Sequence, residues 1–177
     1  MEHELIDWYD EKGNHKGVID KAIAHKNGLW HKSVHVWIIN DKSKILMQKR
    51  CQSKKFFPSF WDCSFSGHVG AGESSLVGAL REGQEEIGLK LSKKDLKFAF
   101  TIKEEFKWND IISREFVDVY VVYKNINIKN LTYQKEEVES AKFFDANKMF
   151  KSKSKNIFPH YEEYKLLKNY LDKNLQM

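Results

Sequence analysis

A chain of 177 residues, 41% hydrophobic and 14% aromatic, is long enough for one domain with a buried core, and no run of 18 apolar residues offers a membrane span. The formal charge of +5 is modest and its lysines are scattered, so a nucleic-acid groove is not expected, and a pocket for anionic phosphates would favour the same balance. Cys51 and Cys63 make neither a metal spacing nor a disulfide framework, and the polar N-terminus has no signal-peptide pattern, so a cytoplasmic location is expected.

In chain order, residues 5–9 read as a strand, 11–14 as a turn and 18–24 as a second strand, giving an N-terminal β-hairpin within residues 1–28. Residues 34–39 and 45–49 form a hairpin about the turn at 40–43. Residues 61–67 read as a short strand feeding a helix. Residues 96–106 and 111–123 form another antiparallel pair, 137–144 a further strand, and a last helix follows Pro159 over about 160–174, with Tyr161, Tyr164, Leu167 and Tyr170 on one face. The lysine-rich run 151–155 reads as a solvated loop. Strands interleaved with two or three helices, with no linker or repeat, predict a mixed α/β chain in one domain over 1–177, its sheet sandwiched by helices. The strands before residue 25 need a partner surface, which points to a homodimer.

Residues 67–89, GHVGAGESSLVGALREGQEEIGL, carry the chemistry. Leu76, Leu80, Gly83 and Ile87 mark the apolar stripe of an amphipathic helix, with Ser74 as N-cap and Gly88 as its stop. Glu82, Glu85 and Glu86 share a face pointing away from that stripe. Like charges so placed cost roughly 0.2–0.5 kcal/mol per pair. A hard divalent cation removes that penalty, since Mg²⁺ and Mn²⁺ take carboxylate oxygens and leave positions for substrate phosphates. The glycine-rich stretch 67–72 brings backbone N–H groups to a helix N-terminus, a place that favours an anion. An isolated Glu-x-x-Glu-Glu is more often a solvated acidic face; here the surrounding residues decide. Gly83 lies on the packing face, so it bears on how close the helix sits to a sheet.

The same segment resembles the signature of the Nudix hydrolases, G-x5-E-x7-R-E-U-x-E-E-x-G-U, with U a bulky aliphatic residue. Seven fixed positions match, namely Gly67, Glu73, Arg81, Glu82, Glu85, Glu86 and Gly88, and Gly83 replaces the first U. A chance match is about one in 10⁸ to 10⁹ per starting position. The resemblance implies a Nudix-type α/β/α sandwich with a mixed central sheet. It further implies a metal, Mg²⁺ or Mn²⁺, held by Glu82, Glu85, Glu86 and the Gly67 carbonyl, with Arg81 orienting the acids and Glu73 supporting it.

Outside this segment the chain is similar to the Nudix branch containing type I isopentenyl-diphosphate isomerase. The matching pieces are KAIAH at 21–25, His31 ahead of Trp37, ILMQKR at 45–50, SKK at 53–55, Pro58, Trp61, SGH at 66–68, REFVDVY at 114–120 and FPH at 158–160. The resemblance implies a second metal site at His25, His31 and His68 with Glu115, and a diphosphate grip by Arg50 and Lys54. Read alone, His31 and His35 on a strand and His68 in a turn need be no more than hydrogen-bonded polar residues.

The two reactions of the branch are separable. The isomerases use a cysteine acid where this chain has Ser66, a far weaker acid. Cys63 lies an odd number of residues away, on the opposite face of an extended strand. His160 stands where the isomerases carry a tryptophan, and Ser113 replaces one metal-site acid. The acidic residues of 67–89 are complete, which suits activation of water. The expectation is a metal-dependent hydrolase of a phosphoanhydride in a small-molecule nucleoside diphosphate linked to another moiety, with Glu82 or Glu115 as base. An isomerase and a non-catalytic nucleotide-binding module are the alternatives. Trp30, Trp37, Phe56, Phe57, Trp61 and Trp108 are expected to pack the core rather than stack on a base.

Overall fold

A computed structural model describes residues 4–109, 111–151 and 156–174. Its strands are β1 (Leu5–Tyr9), β2 (His15–Asp20), β3 (Trp30–Ile39), β4 (Lys44–Arg50), β5 (Trp61–Asp62), β6 (Phe65–His68), β7 (Lys97–Trp108), β8 (Ile111–Tyr123) and β9 (Val138–Asp145). Its helices are α1 (Lys21–Asn27), α2 (Ser75–Ile87), α3 (Ala146–Lys151) and α4 (Tyr161–Asn174). Apart from Lys151, which ends α3, the run 151–155 lies outside the described residues.

β3 organises the sheet. One edge runs parallel to β8 from Trp30↔Arg114 to Ile39↔Tyr123. The other edge is shared in turn by β1, β6 and β4, all antiparallel. β4 also pairs with β5 and β9, and β7 extends β8. The sheet is therefore mixed, as expected.

Alternation along β3 sends side chains into two layers. Val34, Val36 and Ile38 meet Phe65, with Ala79 and Ile87 of α2, in one apolar cluster. Trp37 and Ile39 meet Val119 and Val121, with Leu167 and Leu171 of α4, in a second. Helices thus cover both faces. At Gly83 an added β-carbon would lie 2.9 Å from the buried Phe65 ring, so the glycine lets α2 sit directly on the sheet.

Three expectations are corrected. Residues 18–24 are not one strand: β2 ends at Asp20, whose side chain accepts from Ala22 N at 2.8 Å and caps α1, and Gly28, at φ 59°, ends that helix. The β-branched Val18 and Ile19 carried the strand signal past its end. The N-terminal strands find their partner surface within the chain: β1 pairs with both β2 and β3 and buries Ile6 completely. Tyr161 is 75% exposed, and α4 instead buries Glu163, Leu167 and Leu171.

Candidate functional site

A cleft of about 1290 Å³ gathers most of the residues singled out above, among them Gly67, His68, Glu73, Arg81, Glu82, Glu85, Glu86, Glu115, Arg50, Lys54 and His25. α2 supplies the glutamates. Its N-cap Ser74 accepts from Val77 N, and Gly88 closes it in the left-handed conformation. The three glutamates do not form one solvated face. Glu82 and Glu86 are buried, whereas Glu85 keeps half its side chain in water.

Glu82 lies against the backbone of Gly67, where a β-carbon would come within 2.0 Å of its carboxylate carbon. Glu86 accepts from Gln48 Nε2 at 3.0 Å and from Ser66 N at 3.2 Å. Burial raises both carboxyls, Glu82 to about 7 and Glu86 to about 8. Arg81 spans the group: it donates to both oxygens of Glu73, to Glu82 at 2.7 Å, to Glu85 at 3.1 Å and to the His68 carbonyl at 2.9 Å. Hard carboxylate oxygens crowded on a bare glycine backbone, with one guanidinium among them, fit a hard divalent cation.

The glycine-rich turn does not present free N–H groups to a ligand. Gly70 N donates to Glu73 and Gly72 N to Asp7, at 2.9 and 2.8 Å, so the protein supplies its own anions there.

The histidines come together. The short helix α1 carries His25, the turn at Gly28 returns the chain into β3, and β6 brings His68 alongside. His25 Nε2 and His68 Nε2 are 3.1 Å apart, and one ring nitrogen from each of His25, His31 and His68 lies within 4.8 Å of the others. His31 Nδ1 donates to the Leu29 carbonyl at 2.8 Å, and its Nε2 is buried and without a hydrogen-bond partner. Burial lowers His25 to about 4 and pushes His68 well below its ordinary value, so both rings are neutral, the form that binds metals. Glu115, the partner of His31 across the β3–β8 ladder, stands 3.8 Å from His31 Nε2 and is bonded by Ser113 Oγ. It belongs with the histidines, while Arg81 gathers Glu82 and Glu85 of α2.

Arg50 and Lys54 line the cleft but already have partners. Arg50 pairs with Asp62 at 3.1 Å and donates to the Phe56 carbonyl, and Lys54 pairs with Glu137. Strand alternation fails between Cys63 and Ser66, because β5 and β6 are interrupted between them. Cys63 is nonetheless sealed in the second apolar cluster, its Sγ donates to the Phe65 carbonyl, and burial pushes its thiol well up. Of the aromatics, Trp37 is fully buried and Phe57 packs on Trp108 at 4.2 Å, while Phe56 lines the cleft.

Sequence reasoning named His35 and His160 singly but did not join them into the polar group they form. His35, Asp62, Glu104 and Glu163 surround His160. They come from β3, β5, β7 and α4, and no local spacing joins them.

The NUDIX domain family matches residues 29–166. Nudix hydrolase 3 of Arabidopsis thaliana is 35% identical over 170 residues, covering 92% of this chain; the chain spans only 22% of that protein's length. Isopentenyl-diphosphate Delta-isomerase 1 of Photorhabdus laumondii is 32% identical over 116 residues, 64% of this chain and 65% of that protein. The crystal structure of DR0079 from Deinococcus radiodurans superposes with a TM-score of 0.68 at 18% identity, over 92% of this chain and 98% of that one, a likeness of fold.

Proposed function

From the chain's place in the Nudix hydrolase family, to which it belongs by the match over residues 29–166, we propose that it uses Mg²⁺ or Mn²⁺ to hydrolyse a phosphoanhydride in a small nucleoside diphosphate linked to a further group. The observation that carries this reading is the buried pair of Glu82, set beside the bare backbone of Gly67 and steadied by Arg81, and Glu86, held by Gln48 and Ser66 N. Glu82, Glu85, Glu86 and the Gly67 carbonyl would hold the ion, which supplies Lewis-acid activation of water and neutralises charge on the leaving phosphate.

The chain's own residues do the rest. Arg81 fixes the carboxylates and is itself gripped by both oxygens of Glu73, so the acids are aligned before substrate arrives. Glu82, deepest against Gly67, accepts the proton from water. Lys54 exchanges Glu137 for a substrate phosphate, and Arg50 presents a guanidinium already oriented by Asp62 and Phe56.

The experiment is Glu85→Gln assayed against nucleoside di- and triphosphates, nucleotide sugars and dinucleoside polyphosphates with Mg²⁺ or Mn²⁺. The variant folds normally and loses nearly all metal-dependent phosphate release; wild-type turnover on a confirmed substrate would make the metal assignment wrong.

One observation favours a second reading. The His25, His31, His68 and Glu115 cluster is the metal arrangement expected of an isopentenyl-diphosphate isomerase. Against it, Ser66 offers no thiol acid and Cys63 is buried away from water. Incubation with isopentenyl diphosphate decides between them, dimethylallyl diphosphate being the isomerase outcome.

A further inference from the structure

His35 on β3, Glu104 on β7, His160 just ahead of α4 and Glu163 in its first turn each offer one ligand atom within 4.8 Å of the other three. His35 Nδ1 is 2.7 Å from Glu163 Oε2, and His160 Nδ1 is 2.9 Å from Glu104 Oε2 and 3.8 Å from Glu163 Oε2. In a tetrahedral centre with bonds near 2.0–2.2 Å, neighbouring donors stand about 3.3–3.6 Å apart. These three spacings straddle that value and the remaining pairs lie within 4.8 Å, so shifts of up to about an ångström would close the four donors on one ion.

The outer contacts are those of a metal centre as well. His160 Nε2 faces Asp62 Oδ1 at 3.1 Å, and Arg50 holds the other Asp62 oxygen. A proton kept on Nε2 by that carboxylate leaves Nδ1 as the lone-pair nitrogen, aimed at the other three donors; ligating histidines are commonly fixed in this way. Trp37 Nε1 donates to Glu163 Oε1 at 2.6 Å, which reserves Oε2 for the centre.

Charge points the same way. Asp62, Glu104 and Glu163 bring three negative charges, and among the described residues Arg50 is the one lysine or arginine in ion-pair contact with them. The remaining two charges are balanced either by a proton on each of two imidazoles or by one divalent cation.

We infer that His35, Glu104, His160 and Glu163 form a closed four-ligand site for a borderline divalent transition-metal ion such as Zn²⁺, tying α4 to β3 and β7. Two imidazoles with two carboxylates suit such an ion better than Mg²⁺, and four protein ligands are the mark of a structural rather than a catalytic centre. The site shares no ligand with the glutamates of α2 or with the histidine cluster.

The test uses the full chain carrying His25→Asn and His31→Asn, which disables the histidine cluster, stripped of metal and titrated with Zn²⁺ in excess Mg²⁺. The expected result is one equivalent of Zn²⁺ that raises the thermal midpoint and disappears on adding His160→Asn. Asp62→Asn, which meets His160 at its far nitrogen and none of the other three ligands, should weaken it about 10–100-fold. Equal Zn²⁺ uptake with and without His160→Asn overturns the proposal, and so does no uptake by the parent, which would leave the cluster held by protons. If His160→Asn fails to fold, X-ray absorption of the Zn²⁺-loaded parent decides: two imidazoles with oxygen ligands support the site, and any other shell overturns it. Phosphate release enters none of these readouts, so failure of the hydrolase reading leaves the result standing.

Discussion

Gly67 and Glu82 occupy space that no other residue at position 67 could share: a β-carbon there would lie 2.0 Å from the carboxylate carbon and 2.2 Å from one oxygen. The absent side chain is what lets the helix glutamate reach the strand. Gly67→Ala must drive Glu82 out of its seat, and a displacement of about 1 Å at a reacting group can cost 10²-fold. The expected outcome is a folded protein by circular dichroism whose kcat for metal-dependent phosphate release is at least about 100-fold lower.

Gly83 poses the opposite question, because here a larger residue suits the helix. Replacing it with alanine gains about 1 kcal/mol of helix propensity. The new methyl, however, meets the fully buried Phe65 ring at 2.9 Å, and overpacking a tight core costs typically 1–3 kcal/mol. Overpacking wins: Gly83→Ala should lower urea stability by up to about 2 kcal/mol, and adding Phe65→Leu should recover part of the loss.

The stability of the metal-free protein should fall between about pH 6.5 and 8. Burial raises Glu82 to about 7 and Glu86 to about 8, so across this window the folded state holds more protons than the unfolded chain, whose carboxyls ionise near 4.3. His160 acts in the same direction, since Glu104 and Asp62 outweigh the burial that would strip its proton. His25 and His68 act oppositely, but their contribution to the slope fades as pH rises past about 6.5, where the unfolded imidazoles lose their protons. Thermal midpoints across the window should decline for the wild type and more shallowly for Glu86→Gln. Metal binding must release these protons, so affinity should rise with pH, and calorimetry in buffers of different ionisation heat should register the release.

The caps of α1 are expected to control the histidine cluster. Asp20→Ala removes the N-cap bond to Ala22 and should cost about 1 kcal/mol. Gly28→Ala places a methyl at φ 59° and 3.1 Å from Ile112 Cγ2, and should cost more. Chemical denaturation gives both magnitudes, and amide exchange should show the loss first in residues 21–27.

The sequence made α2 legible to the residue because its stripe, its Ser74 cap and its Gly88 stop agree. The hairpin of β3 and β4 was equally plain from alternation and the turn between them. The helix α1 was hidden because seven residues make less than two full turns of pattern, while Val18 and Ile19 just ahead speak for a strand; Asp20 and Gly28 were the signals that could have found it. The burial of Glu82 and Glu86 was not visible, since nothing on α2 itself says that Gly67 leaves room for one and that Gln48 meets the other. Nor could spacing join His35 to Glu163, which lie on β3 and α4 and meet only because both pack on the same face as Trp37.

The ten-residue parallel ladder between β3 and β8 has a consequence for how the molecule comes into being. Its partners lie roughly eighty residues apart, and parallel pairing rewards the chain only after that long loop has closed. His25, His31 and His68 therefore leave the ribosome well before Glu115, and the sheet that aligns them waits for the β8 segment. A slip of one residue in that ladder would turn Glu115 to the opposite face. Assembly of the cleft is thus a late, register-dependent event in synthesis, and slow folding on the scale of milliseconds to seconds is the expected signature.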